Sequence, residues 1–283
     1  MDRKRAALIN DLSGFGRCSL GVCVPVLAAQ GVECCPLPTA ILSNHTGYDS
    51  FSFTDFTPYM RAYIDEWKKR GIAFDAIYSG FLGSAEQIGI VEEFFDGFGK
   101  NALKVVDPVM GDDGRAYTTF DETLQKEMKR LASRADVLTP NVTEMMILSD
   151  LPYPGRTTLA ALEKTAAALG ETYGCLIVLT GIENSLCPDV PENTVVNLCL
   201  PRGGKAAALS CKKAPAKFAG TGDMFASALT GLLLRGRAPE DAVRAAADFV
   251  AKSAAYTCKV GGDPLDGPFF EKFLKELIPD DPE

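Results

Sequence analysis

Toward the C-terminal end the chain reads "AGTGDMFASALTGLLLRG", Ala219 to Gly236. Two glycines and a carboxylate stand at the start of a long apolar helical pattern. A glycine-rich turn ahead of a helix leaves backbone N–H groups without partners, and the helix macrodipole adds about half a positive charge there. The segment therefore predicts an anion cradle. It is not a Walker-type P-loop, because the chain contains no G-x-x-x-x-G-K-[ST] sequence.

The carboxylate of this cradle, Asp223, has two interpretations. A carboxylate in the first turn of a helix is most often a stabilising cap. With an ordinary pKa of about 3.9 it is also ionised at neutral pH, so it can accept the proton of an alcohol that attacks a bound phosphoryl group. This segment alone leaves both interpretations open.

Upstream of this stretch, short apolar runs alternate with amphipathic helical patterns. Such alternation predicts a mostly parallel sheet with helices on both faces. We find no linker, repeat or low-complexity tract, so we expect one domain over residues 1–283. The predicted strands are Ala6–Asn10, Glu33–Leu37, Ala76–Ser79, Lys104–Asp107, Val137–Leu138 and Leu176–Thr180. The predicted helices are Thr57–Arg70, Ala85–Phe98, Glu122–Ser133, Thr143–Ser149, Leu159–Tyr173, Gly222–Arg235, Pro239–Thr257 and Pro268–Leu277.

After the predicted strand Leu176–Thr180, the alternation of strands and helices stops. Thr194–Leu200 and Lys205–Cys211 read as the two strands of an antiparallel hairpin, with Gly203 and Gly204 in the turn. This predicts an antiparallel addition to the parallel sheet.

Composition narrows the classes of partner. The net charge of −8 argues against a nucleic acid or an anionic membrane, since both need a basic face. Nine cysteines, an odd number without a C-x-x-C pair, fit core thiols such as Cys23, Cys34 and Cys175 better than a disulfide framework. The sequence shows no membrane-spanning run and no secretory leader, so we expect a cytoplasmic protein.

Parallel sheets bind ligands at the carboxyl ends of their strands, so the loops there are the candidate sites. In "NDLSGFGRCSL", Gly14 and Gly16 form a G-x-G, but Ser19 stands where a dinucleotide fingerprint has its third glycine. Asp11 and Ser13 of this segment either bind a ligand or cap the next helix.

The next such loop, "LSNHTGYDSF", holds the only histidine, which excludes a two-histidine metal site. His45 is either part of a ligand pocket or a structural side chain, which is exposed to solvent or buried in the core with its hydrogen bonds satisfied. Its hydrogen-bonding neighbours Asn44, Thr46 and Tyr48 favour a pocket for a polar small molecule.

Two later loops carry acids. Asp107 stands at a strand end before a proline, and Asn141 with Glu144 has the spacing of a capping box. Asp107 and Glu144 also offer oxygen ligands, directly or through water, that suit Mg²⁺. The cap explains Asn141 but leaves Asp107 without a structural role.

Five segments together, "SNHTGY", "SGFLGSAEQ", "DPVMGDDG", "TPNVTE" and "GTGD", give the chain a family resemblance over essentially its whole length. It resembles the ribokinase superfamily of small-molecule kinases, and within it most closely the pyridoxal/pyridoxamine kinases. The resemblance implies a ribokinase-like three-layer α/β sandwich, with a mostly parallel central sheet and helices on both faces. It also implies ATP-dependent phosphorylation of the 5′-hydroxymethyl group of a B6 vitamer (pyridoxal, pyridoxamine or pyridoxine) by a homodimer, with Mg²⁺ and often a monovalent cation such as K⁺.

The resemblance assigns roles to individual residues. Asp223 matches the catalytic base of the family, and the anion hole matches Gly220, Thr221 and Gly222. Positions around the metal and the triphosphate match Asp107, Asn141 and Glu144; a nucleotide-side position matches Thr180; the vitamer pocket matches His45, Thr46 and Phe81. Lys217, with Lys212 and Lys213 on the hairpin, is a candidate phosphate-binding cation or an ordinary surface lysine.

One segment departs from the pyridoxal kinases. "NDLSG", with Asp11, is more similar to the D-x-S-G of the hydroxymethylpyrimidine kinases of thiamine synthesis, which commonly have cysteine where this chain has Asp223. The larger number of matches favours a pyridoxal kinase, and an acid at position 11 would favour the cationic amine of pyridoxamine. The alternatives are a hydroxymethylpyrimidine kinase, a catalytically inactive vitamin-binding protein, and a nicotinamide-dependent oxidoreductase, against which the incomplete glycine fingerprint argues.

Overall fold

The computed structural model describes residues 4–117 and 121–279. Its strands are β1 (Arg5–Ser13), β2 (Glu33–Leu42), β3 (Phe53–Asp55), β4 (Ala76–Ser79), β5 (Leu103–Val106), β6 (Gly111–Asp112), β7 (Arg115–Ala116), β8 (Val137–Leu138), β9 (Leu176–Glu183), β10 (Thr194–Leu200) and β11 (Ala207–Lys212). Its helices are α1 (Ser19–Ala28), α2 (Thr57–Lys69), α3 (Ala85–Phe98), α4 (Glu122–Ala132), α5 (Val142–Leu148), α6 (Leu159–Tyr173), α7 (Thr221–Leu234) and α8 (Pro239–Lys259).

Within the described residues, nine strands form one sheet in the order β11-β10-β9-β8-β5-β4-β1-β2-β3. The six strands from β9 to β2 in this order run parallel, while β3 at one edge and the β10–β11 hairpin at the other are antiparallel. The remaining two strands, β6 and β7, form a small separate ribbon. The carboxyl ends of β1, β4, β5, β8 and β9 therefore lie along one edge of the sheet.

Both faces of the sheet are buried. In β1, Ala7 and Ile9 belong to a core shared with α2, α3, α4, α5 and α6, whereas Ala6 and Leu8 belong to a core shared with α1, α7 and α8. All four side chains have no exposed surface, which explains why the strand reads as a continuous apolar run. The three-layer α/β sandwich predicted from the sequence is confirmed.

Two elements of the structure differ from the prediction. The first strand does not end at Asn10: β1 continues past an irregular register to Ser13, which pairs with Leu42, so Asp11 and Ser13 lie in a strand and not in a loop. The predicted helix Pro268–Leu277 is instead a 3-10 segment over Glu271–Glu276, because its bonds run to the third residue back, as from Leu277 N–H to the Leu274 carbonyl.

Smaller features were also missed or misjudged from the sequence. The sequence predicted a helix after Ser13 without giving its bounds; it is α1, which has Pro25 in its interior. The short strands β3, β6 and β7 were not predicted. Cys23 and Cys175 are buried as predicted, but Cys34 is only half-buried. Within the described ranges, no helix is long and apolar enough to cross a membrane. The β10–β11 hairpin is confirmed, with Gly203 at φ +66° in its turn.

A close backbone contact fixes the start of α7. Gly220, the N-cap residue, has φ +73°, and a Cβ on it would lie 1.9 Å from the carbonyl oxygen of Arg17. Only glycine has both the required backbone freedom and the required lack of a side chain. Gly222, two residues on, has no such restriction, because a Cβ there would meet nothing nearer than Asp107 Oδ2 at 3.8 Å.

This contrast gives a matched pair of substitutions. We expect Gly220→Ala to destabilise the fold by more than about 2 kcal/mol, because it combines a left-handed φ with a backbone clash. Gly222→Ala should keep wild-type stability or gain slightly, since alanine favours helices by about 1 kcal/mol over glycine. Denaturant unfolding of both variants measures the difference; equal midpoints would contradict the close contact at Gly220.

Candidate active site

The carboxyl edge of the sheet and the start of α7 meet at a group of acids. Asp107 directly follows β5 and is 8% exposed; its N–H donates to the Ser79 carbonyl oxygen at 2.8 Å. Thr139 Oγ1 donates to Asp107 Oδ1 at 3.1 Å. Burial, together with the charge of Asp223, raises the pKa of Asp107 to about 7. The structure thus brings Asp107 beside the predicted anion cradle.

The cradle itself consists of Thr221, Gly222 and Asp223, the first three residues of α7. The first helical hydrogen bond runs from Met224 N–H to the Gly220 carbonyl oxygen at 3.0 Å, so the preceding N–H groups have no acceptor within the helix. With the macrodipole they form a site suited to a phosphate group.

The Asp223 carboxylate does not cap its own helix. Oδ1 accepts a hydrogen bond from Asn10 Nδ2 at 2.9 Å, and Oδ2 accepts one from the Ser19 N–H at 2.8 Å. No side-chain cap bond is present at the start of α7. The two donors come from β1 and α1, so the carboxylate is held across the interface between elements. This geometry argues against the capping interpretation.

The half-buried Asp223 carboxyl also has a shifted pKa. Burial is the main cause; the two hydrogen bonds oppose it, and the resulting pKa is about 6. A group with that pKa is ionised at neutral pH yet accepts a proton more readily than an ordinary aspartate.

Asn10 is the residue that the sequence analysis missed. It is 1% exposed, and its Oδ1 accepts the N–H groups of Phe81 at 2.9 Å and Asp11 at 3.0 Å while its Nδ2 holds Asp223. Gly80 leaves room for it, since a Cβ there would lie 2.5 Å from Asn10 Nδ2. The sequence did contain a signal for its importance, because Asn10 is a polar residue directly after the apolar residues of the first predicted strand. Asn10 links Phe81, a predicted pocket residue, to the predicted base.

Asp11 and Ser13 are buried, at 7% and 4% exposure. Asp11 Oδ2 accepts a hydrogen bond from Ser13 Oγ at 3.0 Å, and Asp11 Oδ1 accepts one from Ser19 Oγ at 2.6 Å. Burial raises the pKa of Asp11. The suggestion that these residues cap the next helix is wrong, because α1 has Cys18 at its N-cap and no side-chain cap bond.

His45 connects two loops. Its Nε2 lies 2.7 Å from the Leu265 carbonyl oxygen and its Nδ1 accepts the Gly47 N–H at 3.1 Å, so the proton of the neutral ring resides on Nε2. The ring centroid lies 4.6 Å from that of Tyr48 with the two rings tilted by 48°, and the Tyr48 hydroxyl donates to Asp266 Oδ1 at 2.6 Å. Thr46 beside it is exposed. The loop that was predicted to line a pocket is thus fastened to the turn after α8.

Asn141 and Glu144 form the predicted capping box at the start of α5. Glu144 Oε2 accepts the Asn141 N–H at 2.8 Å and Oε1 accepts the Met110 N–H at 3.2 Å. Burial and the nearby Asp107 raise the pKa of Glu144. Asn141 Nδ2 donates to the Gly111 carbonyl oxygen at 2.8 Å, which ties the β6–β7 ribbon to this site.

The donor set fits Mg²⁺ bound together with phosphates. No group of three metal-binding side chains occurs among residues 4–117 and 121–279. Mg²⁺, however, commonly uses only one or two carboxylates and takes its remaining ligands from water and substrate phosphates. Asp107 and Glu144 are two buried acids whose raised pKa values a nearby cation would reverse.

Thr180 and Lys217, the last two residues predicted to bind the nucleotide, lie in different surroundings. Thr180 lies beside Asn141 through a parallel bridge, and its N–H and Oγ1 both donate to the Pro140 carbonyl oxygen, at 2.9 and 3.3 Å. Lys217 is exposed and forms an ion pair with Asp113 at 2.7 Å. Lys213, the alternative cation, is paired with Glu183 at 2.7 Å.

The sequence of this chain is similar to those of known kinases. The sequence profile of the phosphomethylpyrimidine kinase family matches residues 25–268. The pyridoxine/pyridoxal/pyridoxamine kinase of Bordetella avium is 28% identical over 249 residues, which cover 86% of this chain and 82% of that protein.

Two solved structures are also similar. A Bacteroides thetaiotaomicron protein, provisionally described as a phosphomethylpyrimidine kinase and crystallised with pyridoxal, is 38% identical with a TM-score of 0.89, covering 100% of this chain and 98% of that one. The pyridoxal kinase of Lactobacillus plantarum is 26% identical with a TM-score of 0.88, covering 97% and 96%. The chain therefore belongs to the phosphomethylpyrimidine kinase family, and it resembles the pyridoxal kinases of ribokinase-like fold, as the sequence motifs predicted.

Proposed function

We propose that this protein transfers the γ-phosphoryl group of ATP to the 5′-hydroxymethyl group of a B6 vitamer, in vitamin B6 salvage. The observation that carries the proposal is the Asp223 carboxylate, held by Asn10 and Ser19 at the mouth of an anion cradle and tuned to a pKa of about 6. The similarity to pyridoxal kinases supports the same reaction.

In this proposal the chain's residues divide the work of phosphoryl transfer. Asp223 accepts the proton of the alcohol as the alcohol attacks, and Asn10 and Ser19 keep its two oxygens oriented. The N–H groups of Thr221 and Gly222 stabilise negative charge on the transferred phosphoryl group. The reaction needs little other covalent participation from the protein, because positioning and electrostatics supply most of the catalysis.

The nucleotide side is assigned to Asn141, Thr180 and Lys217, with Asp107 and Glu144 next to the triphosphate. Mg²⁺ held near these two acids would neutralise charge on the phosphates. Lys217 is already paired with Asp113, so binding a phosphate requires it to exchange one exposed anion for another, which costs little.

The vitamer side is assigned to Phe81, His45 and Thr46; Asp11 and Ser13, which the sequence also assigned to it, are buried and hydrogen-bonded to each other. We retain the homodimer, the monovalent cation and a single domain over residues 1–283 as parts of the proposal. Apolar side chains exposed near the β3 edge, among them Ile41, Phe51 and Phe53, offer a surface for a second copy.

A second candidate, hydroxymethylpyrimidine kinase, is favoured by Asp11 and by the family profile. A panel of pyridoxal, pyridoxamine, pyridoxine and hydroxymethylpyrimidine with Mg-ATP separates the two. We expect turnover of at least one B6 vitamer, with a larger kcat/KM than for hydroxymethylpyrimidine. Turnover of hydroxymethylpyrimidine alone would overturn the substrate assignment while preserving the reaction class.

Asp223→Asn tests the base. Asparagine keeps the shape and one of the two acceptor oxygens, so the variant should fold and bind ATP at a cost of about 1–3 kcal/mol in stability for the lost hydrogen bond, whereas kcat should fall by on the order of 10²–10⁴. The kcat of wild type should decline as the pH falls through about 6, because the protonated carboxyl cannot accept a proton. This acidic decline should be missing from the variant.

The matched control is Asp121→Asn at the N-cap of α4, where Asp121 Oδ1 accepts the Leu124 N–H at 2.8 Å. Since asparagine caps about as well as aspartate, this variant should match wild type in both melting temperature and kcat. An Asp223→Asn enzyme with near-wild-type kcat would exclude Asp223 as the base.

Glu144→Gln tests the metal assignment. Glutamine removes the charge and keeps one acceptor for the capping box but loses the acceptor for the Met110 N–H, so stability should fall by about 1–3 kcal/mol while the fold is kept. The Mg²⁺ concentration for half-maximal turnover should rise by about 10-fold, since residues that orient metal ligands commonly have effects of that size. Magnesium titration of kcat at fixed ATP measures it, and an unchanged requirement would leave Glu144 as a helix cap only.

A further inference from the structure

We propose that Asp11 is a positioning residue for the base Asp223, acting through Ser19, and that it does not recognise the amine of the substrate. The proposal rests on the function proposed above. It concerns a buried acid that the phosphoryl-transfer chemistry itself does not use.

The connection between the two acids is short and complete. Asp11 Oδ1 accepts a hydrogen bond from Ser19 Oγ at 2.6 Å, and the N–H of the same Ser19 donates to Asp223 Oδ2 at 2.8 Å. Asp11 therefore holds the side chain of the residue whose backbone orients the base. Ser19 is 7% exposed, so water competes little for either contact.

Ser19 needs such a restraint. Its φ is +51°, a left-handed conformation that is uncommon for residues other than glycine and persists where the surroundings enforce it. The conformation at the start of α1 aims the Ser19 N–H at Asp223. The hydrogen bond from its hydroxyl to Asp11 is the side-chain contact that favours this conformation.

The other oxygen of Asp11 is also engaged, by Ser13 Oγ at 3.0 Å. Both carboxylate oxygens therefore already accept hydroxyl groups, and the residue is only 7% exposed. An ammonium group of pyridoxamine would have to displace one of these buried contacts to reach the carboxylate. The geometry therefore favours a role within the protein over a role in substrate recognition.

The two roles make different demands on position 11. Positioning needs hydrogen-bond acceptors, which asparagine partly retains and alanine lacks. Amine recognition needs the negative charge, which both substitutions remove. The experiment is therefore steady-state kinetics of Asp11→Ala and Asp11→Asn with both pyridoxal and pyridoxamine, with melting temperature and ATP affinity measured on the same preparations.

We expect Asp11→Ala to lower kcat by between about 10-fold and 100-fold for both vitamers, the size expected when a reacting group is misplaced. KM should change by less than about 2-fold, because ground-state binding is unaffected. Asp11→Asn should recover most of the lost kcat. In the Asp223→Asn background, adding Asp11→Ala should cause no further loss, because Asp11 acts through the absent base.

A loss confined to pyridoxamine, or a loss as large with asparagine as with alanine, would overturn the proposal. Should Asp11→Ala fail to fold, Ser19→Ala breaks the same connection and retains the N–H; it is expected to lower kcat with unchanged KM, and a wild-type kcat would equally overturn the proposal. Failure of the wild-type protein to phosphorylate any vitamer is a separate result, which would overturn the proposed function instead.

Discussion

The close approach of Gly220 to the Arg17 carbonyl oxygen is the constraint on which the site depends. It brings the start of α7, late in the chain, against the segment that follows the first strand. Gly267, at φ +80°, approaches the same oxygen from the turn after α8, where a Cβ would lie 2.7 Å away. Three distant segments therefore meet at one carbonyl group. The same packing places the carboxylate of Asp223 within hydrogen-bond distance of Asn10 and Ser19.

The electrostatics of the site follow from the same packing. Asp107, Glu144 and Asp223 are brought together in a protein of net charge −8, and burial raises the pKa of each. The candidate cation Lys217 is exposed and already paired. In the proposed function, attraction for a polyphosphate therefore comes mainly from the N–H groups at the start of α7 and from bound cations. Under this proposal, backbone dipoles take the place that a lysine occupies in a P-loop.

The sequence predicted the architecture well because its signals are local. Alternating apolar runs reported strands buried on both faces, and the two-glycine turn reported the β10–β11 hairpin. The capping box of Asn141 and Glu144 was equally visible, since both residues lie within one helical turn. The segment Pro268–Leu277 misled because its apolar spacing suits an α-helix, while its hydrogen bonds form the tighter 3-10 geometry.

What the sequence could not show is which distant residues hold the site together. Asn10 and Ser19 carry no motif; their importance comes from contacts with Asp223, more than two hundred positions along the chain. Asp11 illustrates the same limit. As a letter in "NDLSG" it suggested a pyrimidine substrate or a bound amine, but in the fold both its oxygens accept buried serine hydroxyls. A residue whose two oxygens already accept hydrogen bonds from its neighbours carries little information about the substrate, so the similarity of that segment to hydroxymethylpyrimidine kinases does not by itself favour a pyrimidine substrate.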